Sequence, residues 1–345
     1  MNQNEVKLLE KLRQFPFLLA PMASITNAPF RLLMKEMGAE IVISELISAT
    51  GLQYGGKKTI DLCRYFEEER PVGLQIFGEG AEHLGLSAEW IEKHGADFVD
   101  INLGCPVPKV VNKGAGAALT RNPEKLFQVL SHVKNRIQIP LTIKIRTGWD
   151  SCSVNAMECV LAAAEAGVTW VAIHGRTRAQ GYEGSANWDL ISEVKAKSPI
   201  PIIGNGDILT ADHALSRLQT SKCDAVMIGR GVLRNPFLFF EIAKKVNHRP
   251  SLQVKTYWQL VERHIELLKK TYSDFYVGIQ LRKFATWYSA GIEGASAFRK
   301  KLYEQTNDET GTQKVVDLVR EFFDKPNVCK SNSFLSEPFL KGGHG

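Results

Sequence analysis

The feature that most constrains this chain is a repeat. Short apolar runs recur eight times between residues 17 and 228, with stretches of helical character between them. The runs fall at 17–20, 41–44, 73–77, 98–103, 141–145, 170–174, 201–204 and 225–228. Helical stretches occupy 28–37, 79–94, 123–136, 153–166, 188–197, 211–219 and 236–246, while the polar segment 50–70 reads as a loop with a short helix. Strands that are apolar throughout need cover on both faces, as in a parallel sheet wrapped by helices. Two α/β architectures meet that need, a closed eightfold barrel and an open doubly wound sheet. The open sheet calls for one glycine-rich phosphate turn after the first strand. Here that strand runs into Ala20-Pro21-Met22-Ala23, and polar residues are spread over many strand ends. The expectation is a (β/α)8 TIM barrel.

Beyond about residue 250 the strands stop. Residues 252–271, 276–291, 297–305 and 313–323 read as helices, the first amphipathic through Leu260, Ile265 and Leu268. The chain thus divides into a barrel at 1–248, a smaller C-terminal helical domain at 249–326, and a tail at 327–345 that is expected to fray. A net charge of +6 over 345 residues permits an acidic partner without demanding one. The six cysteines are scattered and form no CxxC pair, which argues against a zinc site or a disulfide framework. The N-terminus is polar and helical, and no apolar run approaches the ~20 residues of a membrane span. A cytoplasmic protein with no membrane association and no metal is expected.

Chemistry in such a barrel sits at the C-terminal strand ends. Taken in order, those ends carry Pro21, Met22 and Ala23; Ser44 and Glu45; Gln75; Asn102 and Cys105; Lys144 and Arg146; His174 and Arg176; Asn205, Gly206 and Asp207; Gly229 and Arg230. Cys105 follows the break Leu103-Gly104-Cys105-Pro106. A free cysteine is ordinarily a small buried hydrophobe, so its meaning depends on its company. Lys144 and Arg146 are two apart and share one strand face, opposite Ile143 and Ile145. Two cations inside a barrel call for an anion. His174 ends an apolar strand; Gln75 either meets a ligand or bridges backbone groups. The loops Gly204-Asn205-Gly206-Asp207 and Ile228-Gly229-Arg230-Gly231 follow the seventh and eighth strands, where barrels often bind phosphate. Glycines bring backbone N–H groups to the phosphate, and Arg230 adds a charged fork. Flavin mononucleotide (FMN) suits this set, with its phosphate at these loops and its ring near Ala23, Gln75 and Lys144.

Taken together, the motifs place the chain near a known family. Ala20-Pro21-Met22-Ala23, the Gln75 segment, Ile101-Asn102-Leu103-Gly104-Cys105-Pro106, Lys144-Ile145-Arg146-Thr147-Gly148-Trp149, His174-Gly175-Arg176-Thr177, Gly204-Asn205-Gly206-Asp207 and Ile228-Gly229-Arg230 resemble the bacterial tRNA-dihydrouridine synthases. The likeness runs from about residue 16 to 240, and the segment 281–299 resembles the family's helical RNA-binding domain. Leu103 stands where many members have methionine. The resemblance implies reduction of the C5–C6 double bond of selected tRNA uridines by FMN, itself reduced by NADPH or NADH. It implies hydride delivery to C6 and a proton from Cys105 to C5. It assigns Pro21, Met22, Ala23, Gln75, Lys144, His174, Asn205, Gly206, Asp207, Gly229 and Arg230 to the flavin. Asn102, Arg176, Arg282 and Lys283 are expected at the substrate. Trp287 and Tyr288 are expected to pack a helix core rather than stack on bases. A monomer is expected.

Two alternatives stay open at this level. One is a flavin barrel acting on a free small molecule, akin to the dihydroorotate dehydrogenases. The other is a non-catalytic RNA-binding protein that keeps the barrel as a scaffold. The modified tRNA position is not encoded in any motif.

Overall fold

The computed structural model describes residues 2–325, apart from 113 and 307. The expected tail at 327–345 lies outside the described residues. Eight parallel strands form the barrel: β1 (Phe17–Leu19), β2 (Val42–Ser48), β3 (Val72–Phe77), β4 (Phe98–Leu103), β5 (Leu141–Arg146), β6 (Trp170–His174), β7 (Ile202–Asn205) and β8 (Ala225–Ile228). Each strand from β2 to β8 pairs with its sequence neighbour, and β8 pairs with β1. The remaining seam closes where Leu18 bridges Ile41 and Leu19 N–H donates to Ile41 C=O at 3.1 Å. The fold is the expected TIM barrel followed by C-terminal helices.

Apolar packing fills one end of the barrel. Leu18, Ile43, Phe98, Trp170, Ala172, Ile203 and Met227 form one cluster with Leu8, Leu9 and Leu12 of the N-terminal helix Gln3–Gln14. That helix starts cleanly, because Asn2 and Glu5 cap each other reciprocally at 2.9 Å. Its leucines at i, i+1 and i+4 share one stripe and plug the barrel floor. Polar chemistry is thereby left to the opposite end.

The strand boundaries differ most at β2. The expected strand at 41–44 continues to Ser48, with a register irregularity between Ile43 and Leu46. Ser44 and Glu45 fall at that bulge rather than at the strand end, so a polar pair interrupts the run without ending it. The segment 50–70 holds the short helices Ala49–Gln53 and Lys57–Asp61 and a 3-10 turn at Glu67–Glu69.

The C-terminal helices are Tyr257–Thr271, Asp274–Tyr288, Ala295–Glu304 and Glu309–Phe323. Thr256 and Gln259 make a capping box that fixes the first helix start. This helix lies against the barrel helix Ala28–Glu36. Phe30 stacks on Phe284 at 5.0 Å, and Arg263 pairs with Glu36 at 2.6 Å. Tyr288 is buried and its hydroxyl lies 3.1 Å from His264 Nδ1, while Trp287 packs edge-on against Phe284. Both aromatics serve the helical core. Burial pushes the His264 imidazole down to about 3, so it stays neutral.

Candidate active site

The strand exits converge on two adjoining cavities at the C-terminal barrel mouth. Pro21, Met22, Lys144, His174, Tyr182 and Arg230 line both. The first cavity adds Arg176, Asn205, Gly206, Asp207, Gly229 and Gly231. The second adds Ala23, Gln75, Asn102, Cys105 and Arg146. The expected flavin residues and Cys105 therefore share one mouth.

Close backbone approach shapes the first cavity. A Cβ on Gly231 would sit 2.1 Å from Ile208 C=O, and one on Gly206 (φ +135°) would sit 2.5 Å from Ala186 Cβ. No side chain fits at either place. At Gly229, by contrast, the nearest atoms to a Cβ are Ala20 Cβ at 3.7 Å and Met22 Sδ at 3.9 Å, ordinary van der Waals distances, and its backbone lines the first cavity. Asn205 Nδ2–H donates to Met227 C=O at 2.8 Å and ties the β7 exit to β8.

Four cations gather here. Burial, with Arg146 adding to it and Asp100 opposing, pushes the Lys144 ammonium down to about 8. Among the described residues no hydrogen bond or ion pair engages that ammonium, which faces both cavities. Arg146 donates from Nε to Gly104 C=O at 2.9 Å and from Nη1 to Thr177 and Gly181 C=O at 2.8 and 2.7 Å. It joins the Cys105 loop to the loop after β6. Arg230 lies over the Tyr182 ring, 4.0 Å from its centroid. Arg176 is deeply committed: it pairs with Asp207 at 2.8 Å and donates to Glu183 and Gly184 C=O at 3.1 and 2.6 Å. Its fork holds the protein's own loop, and its side chain also lines the first cavity. Burial and these four cations hold the His174 imidazole well below its usual range, so it is neutral at neutral pH.

The second cavity is organised by Asn102. Its Oδ1 accepts the backbone N–H groups of Gly104 at 3.2 Å and Cys105 at 2.9 Å. Its Nδ2–H donates to Gln75 Oε1 at 2.9 Å, and Gln75 Nε2–H donates to the buried Asp100 at 2.6 Å. Burial also pushes the Cys105 thiol up from its ordinary value, against weaker pulls from a Val107 backbone hydrogen bond and Arg146. The thiol is protonated at neutral pH, which suits a proton donor better than a nucleophile.

Arg282 and Lys283 lie elsewhere. Arg282 is buried in the helical bundle and donates to Leu302 and Gln305 C=O at 3.1 and 3.4 Å. It is not brought to the cavities. Lys283 does reach the barrel: its ammonium donates to Ser24 C=O, beside Ala23, while Ser24 N–H donates to Glu45. Burial pushes Lys283 down to about 8, with Glu45 opposing.

Sequence reasoning missed Tyr182 and Asp100 as site residues. Tyr182 lies in a polar, glycine-rich loop outside any strand pattern; a large aromatic in such a loop was its only signal. Asp100 had a stronger one, a carboxylate inside an otherwise apolar strand.

The family model described as dihydrouridine synthase matches residues 18–324. The chain belongs to the dihydrouridine synthase family. It is 36% identical over 311 residues to tRNA-dihydrouridine synthase B of Pseudomonas putida, covering 89% of this chain and 90% of that protein. It is 35% identical over 311 residues to tRNA-dihydrouridine synthase B of Vibrio cholerae, covering 89% and 95%. A probable tRNA-dihydrouridine synthase of Rickettsia typhi is 35% identical over 312 residues, with 89% and 95% covered. Among solved structures, histamine dehydrogenase from Rhizobium sp. 4-9 superposes with a TM-score of 0.52 at 12% identity, covering 79% of this chain and 49% of that one. A 2-naphthoyl-CoA reductase complex gives 0.51 at 12% identity, covering 68% and 50%. This dihydrouridine synthase spans about half of those chains, and the likeness is one of fold.

Proposed function

We propose that this dihydrouridine synthase reduces the C5–C6 double bond of specific tRNA uridines, using FMN recharged by NADPH or NADH. The observation that carries the proposal is the protonated Cys105 thiol lining the same mouth as Lys144 and the two glycine loops. The residues present fit FMN. The Gly206 and Gly229–Gly231 backbones offer a phosphate cradle beside Arg230, and Lys144 offers an unmatched cation for an electron-rich ring edge. Pro21, Met22, Ala23, Gln75, His174, Asn205 and Asp207 complete that set. When bound, the flavin supplies hydride to uracil C6.

The chain's own residues do the rest. Cys105 donates its proton to C5, and the Asn102 clamp on its backbone fixes where the thiol points. Neutral His174 can hydrogen-bond a ring without adding charge. Arg146 and Tyr182 border the remaining space, where an extruded uracil would lie. Residues 1–248 carry this chemistry, and 249–326 hold the tRNA through phosphate contacts made by surface lysines and arginines as a group. Among the described residues no helix is long and apolar enough to cross a membrane, and no His/Cys/Asp/Glu cluster is suited to a metal. The proposal includes a cytoplasmic monomer.

The test is dihydrouridine mapped by site in tRNA from cells lacking the gene, complemented with the parent or with Cys105→Ala. Dihydrouridine restored by the parent alone supports the proposal. Equal restoration by both removes Cys105 as the proton donor, and no restoration by the parent overturns the activity.

A further inference from the structure

We propose that Asp100 is a positioning residue that holds the Cys105 thiol in place through Gln75 and Asn102. The inference rests on Cys105 being the reacting thiol. Asp100 lines neither cavity and is fully buried, so it touches no ligand itself. The strand register sets Gln75, Asp100 and Thr142 side by side on β3, β4 and β5. Each carboxyl oxygen takes one donor: Gln75 Nε2–H at 2.6 Å and Thr142 Oγ1–H at 2.6 Å.

The direction of this chain matters. A carboxamide has donors at one end and an acceptor at the other. Asp100 accepts from Gln75, which leaves Gln75 Oε1 facing Asn102 Nδ2–H at 2.9 Å. Asn102 Oδ1 must then face the loop, where it accepts Gly104 and Cys105 N–H. A pure acceptor at the buried end therefore fixes the sense of every link up to the thiol's own backbone. Without it, nothing at the buried end sets the Gln75 amide, and a turned Gln75 presents N–H to the Asn102 N–H that its Oε1 now accepts.

The arrangement also tolerates proton uptake. Burial pushes the Asp100 carboxyl up to about 6, against hydrogen bonds from Thr142 and Gln75 and the charge of Lys144. A protonated Asp100 can donate to Thr142, whose own proton then turns to Val99 C=O at 3.3 Å. The bond from Gln75 survives, and so does the sense of the chain. An asparagine at this position can do the same, with Oδ1 toward Gln75 and its amide toward Thr142. An alanine cannot.

The experiment is alkylation of the flavin-free, full-length protein with iodoacetamide, resolved by residue with mass spectrometry. Exposed Cys152 serves as the internal control. Asp100→Ala is expected to change the Cys105 rate by about fivefold or more with Cys152 unchanged, and in the loaded enzyme to lower kcat about tenfold with KM for tRNA within about twofold. Asp100→Asn is expected to stay within about twofold of the parent in each measurement. A folded Asp100→Ala protein with the parental Cys105 rate overturns the proposal; so does Asp100→Asn behaving like Asp100→Ala. If Asp100→Ala does not fold, Gln75→Leu cuts the same chain between Asp100 and Asn102, and an unchanged Cys105 rate in that flavin-free protein overturns it. Alkylation needs no turnover. A parent enzyme that forms no dihydrouridine therefore defeats the functional reading separately.

Discussion

The guanidinium of Arg230 lies 4.0 Å from the ring centroid of Tyr182, and these two residues line both cavities of the barrel mouth. One comes from the β8 exit and the other from the loop after β6. Their contact spans the junction between the glycine loops and the Cys105 side. Arg230→Ala removes a charged fork from the cradle. FMN dissociation constants measured by fluorescence titration should rise roughly 10- to 150-fold, in line with the ~1.5–3 kcal/mol of a charge-assisted hydrogen bond. Unchanged affinity would place the phosphate elsewhere.

Cys105→Ala should separate binding from chemistry. The thiol makes no contact on which the glycine loops depend, so flavin content should match the parent by absorbance. Dihydrouridine formation should fall by roughly 10²–10⁴, the usual range for a lost general acid. Nucleoside mass spectrometry reads the product directly.

Lys144 predicts two opposite pH trends in the flavin-free protein. Its ammonium titrates near 8 when folded and near the reference 10.5 when unfolded. Between those values the unfolded chain binds more protons, so this residue makes stability rise with pH. Over the same rise the cavity loses its unmatched cation, and FMN affinity should fall from pH 7 to 9. The charged groups acting on Lys144 titrate outside this range: the buried Asp100 carboxyl is pushed up only to about 6 and Arg146 is pushed down only to about 10, while His174 beside it is already neutral. Lys144→Met should flatten both trends. Urea melts and FMN titrations across this pH range check the two halves.

Arg31 and Glu69 form a buried pair at 2.6 Å, with Arg31 also donating to Thr26 and Arg64 C=O at 2.7 Å. The pair fastens the loop before β3 to the helix Ala28–Glu36. Arg31→Met leaves a buried carboxylate without its partner and should destabilise the protein by about 3–5 kcal/mol. Chemical denaturation at neutral pH measures it; a loss under about 1 kcal/mol would mean that the loop detaches at little cost.

The barrel was legible because its strands are short, apolar and separated by helical stretches. That pattern leaves few ways to cover every face. The strand exits were legible for the same reason, and Lys144, Arg146, Cys105 and the two glycine loops do line one mouth. The docking of the helical unit was not legible. Phe284 stacks on Phe30 across about 250 residues of chain, a pairing that no local period encodes. Removing the helical unit would bare that face of the barrel, so truncation is a poor test of its role.

Charge type was visible in the sequence, but partnership was not. Arg176, Arg230 and Arg282 look alike as residues near motifs. In the folded chain Arg176 is bound to Asp207 and two loop carbonyls, Arg282 sits within the helical bundle, and Arg230 lines the cavities. Likewise Asn102, expected at the substrate, lines the second cavity, and its amide is also engaged by Gln75 and by the Cys105 loop. The sequence by itself determined the barrel, the end at which chemistry occurs and the residue types gathered there, because strand periodicity and chain order dictate them. Only the tertiary structure decided which of those groups line the cavities and which are tied into the rest of the fold. Hydrogen bonds between neighbouring strands join residues far apart in the chain, and the direction of each bond is set by the next.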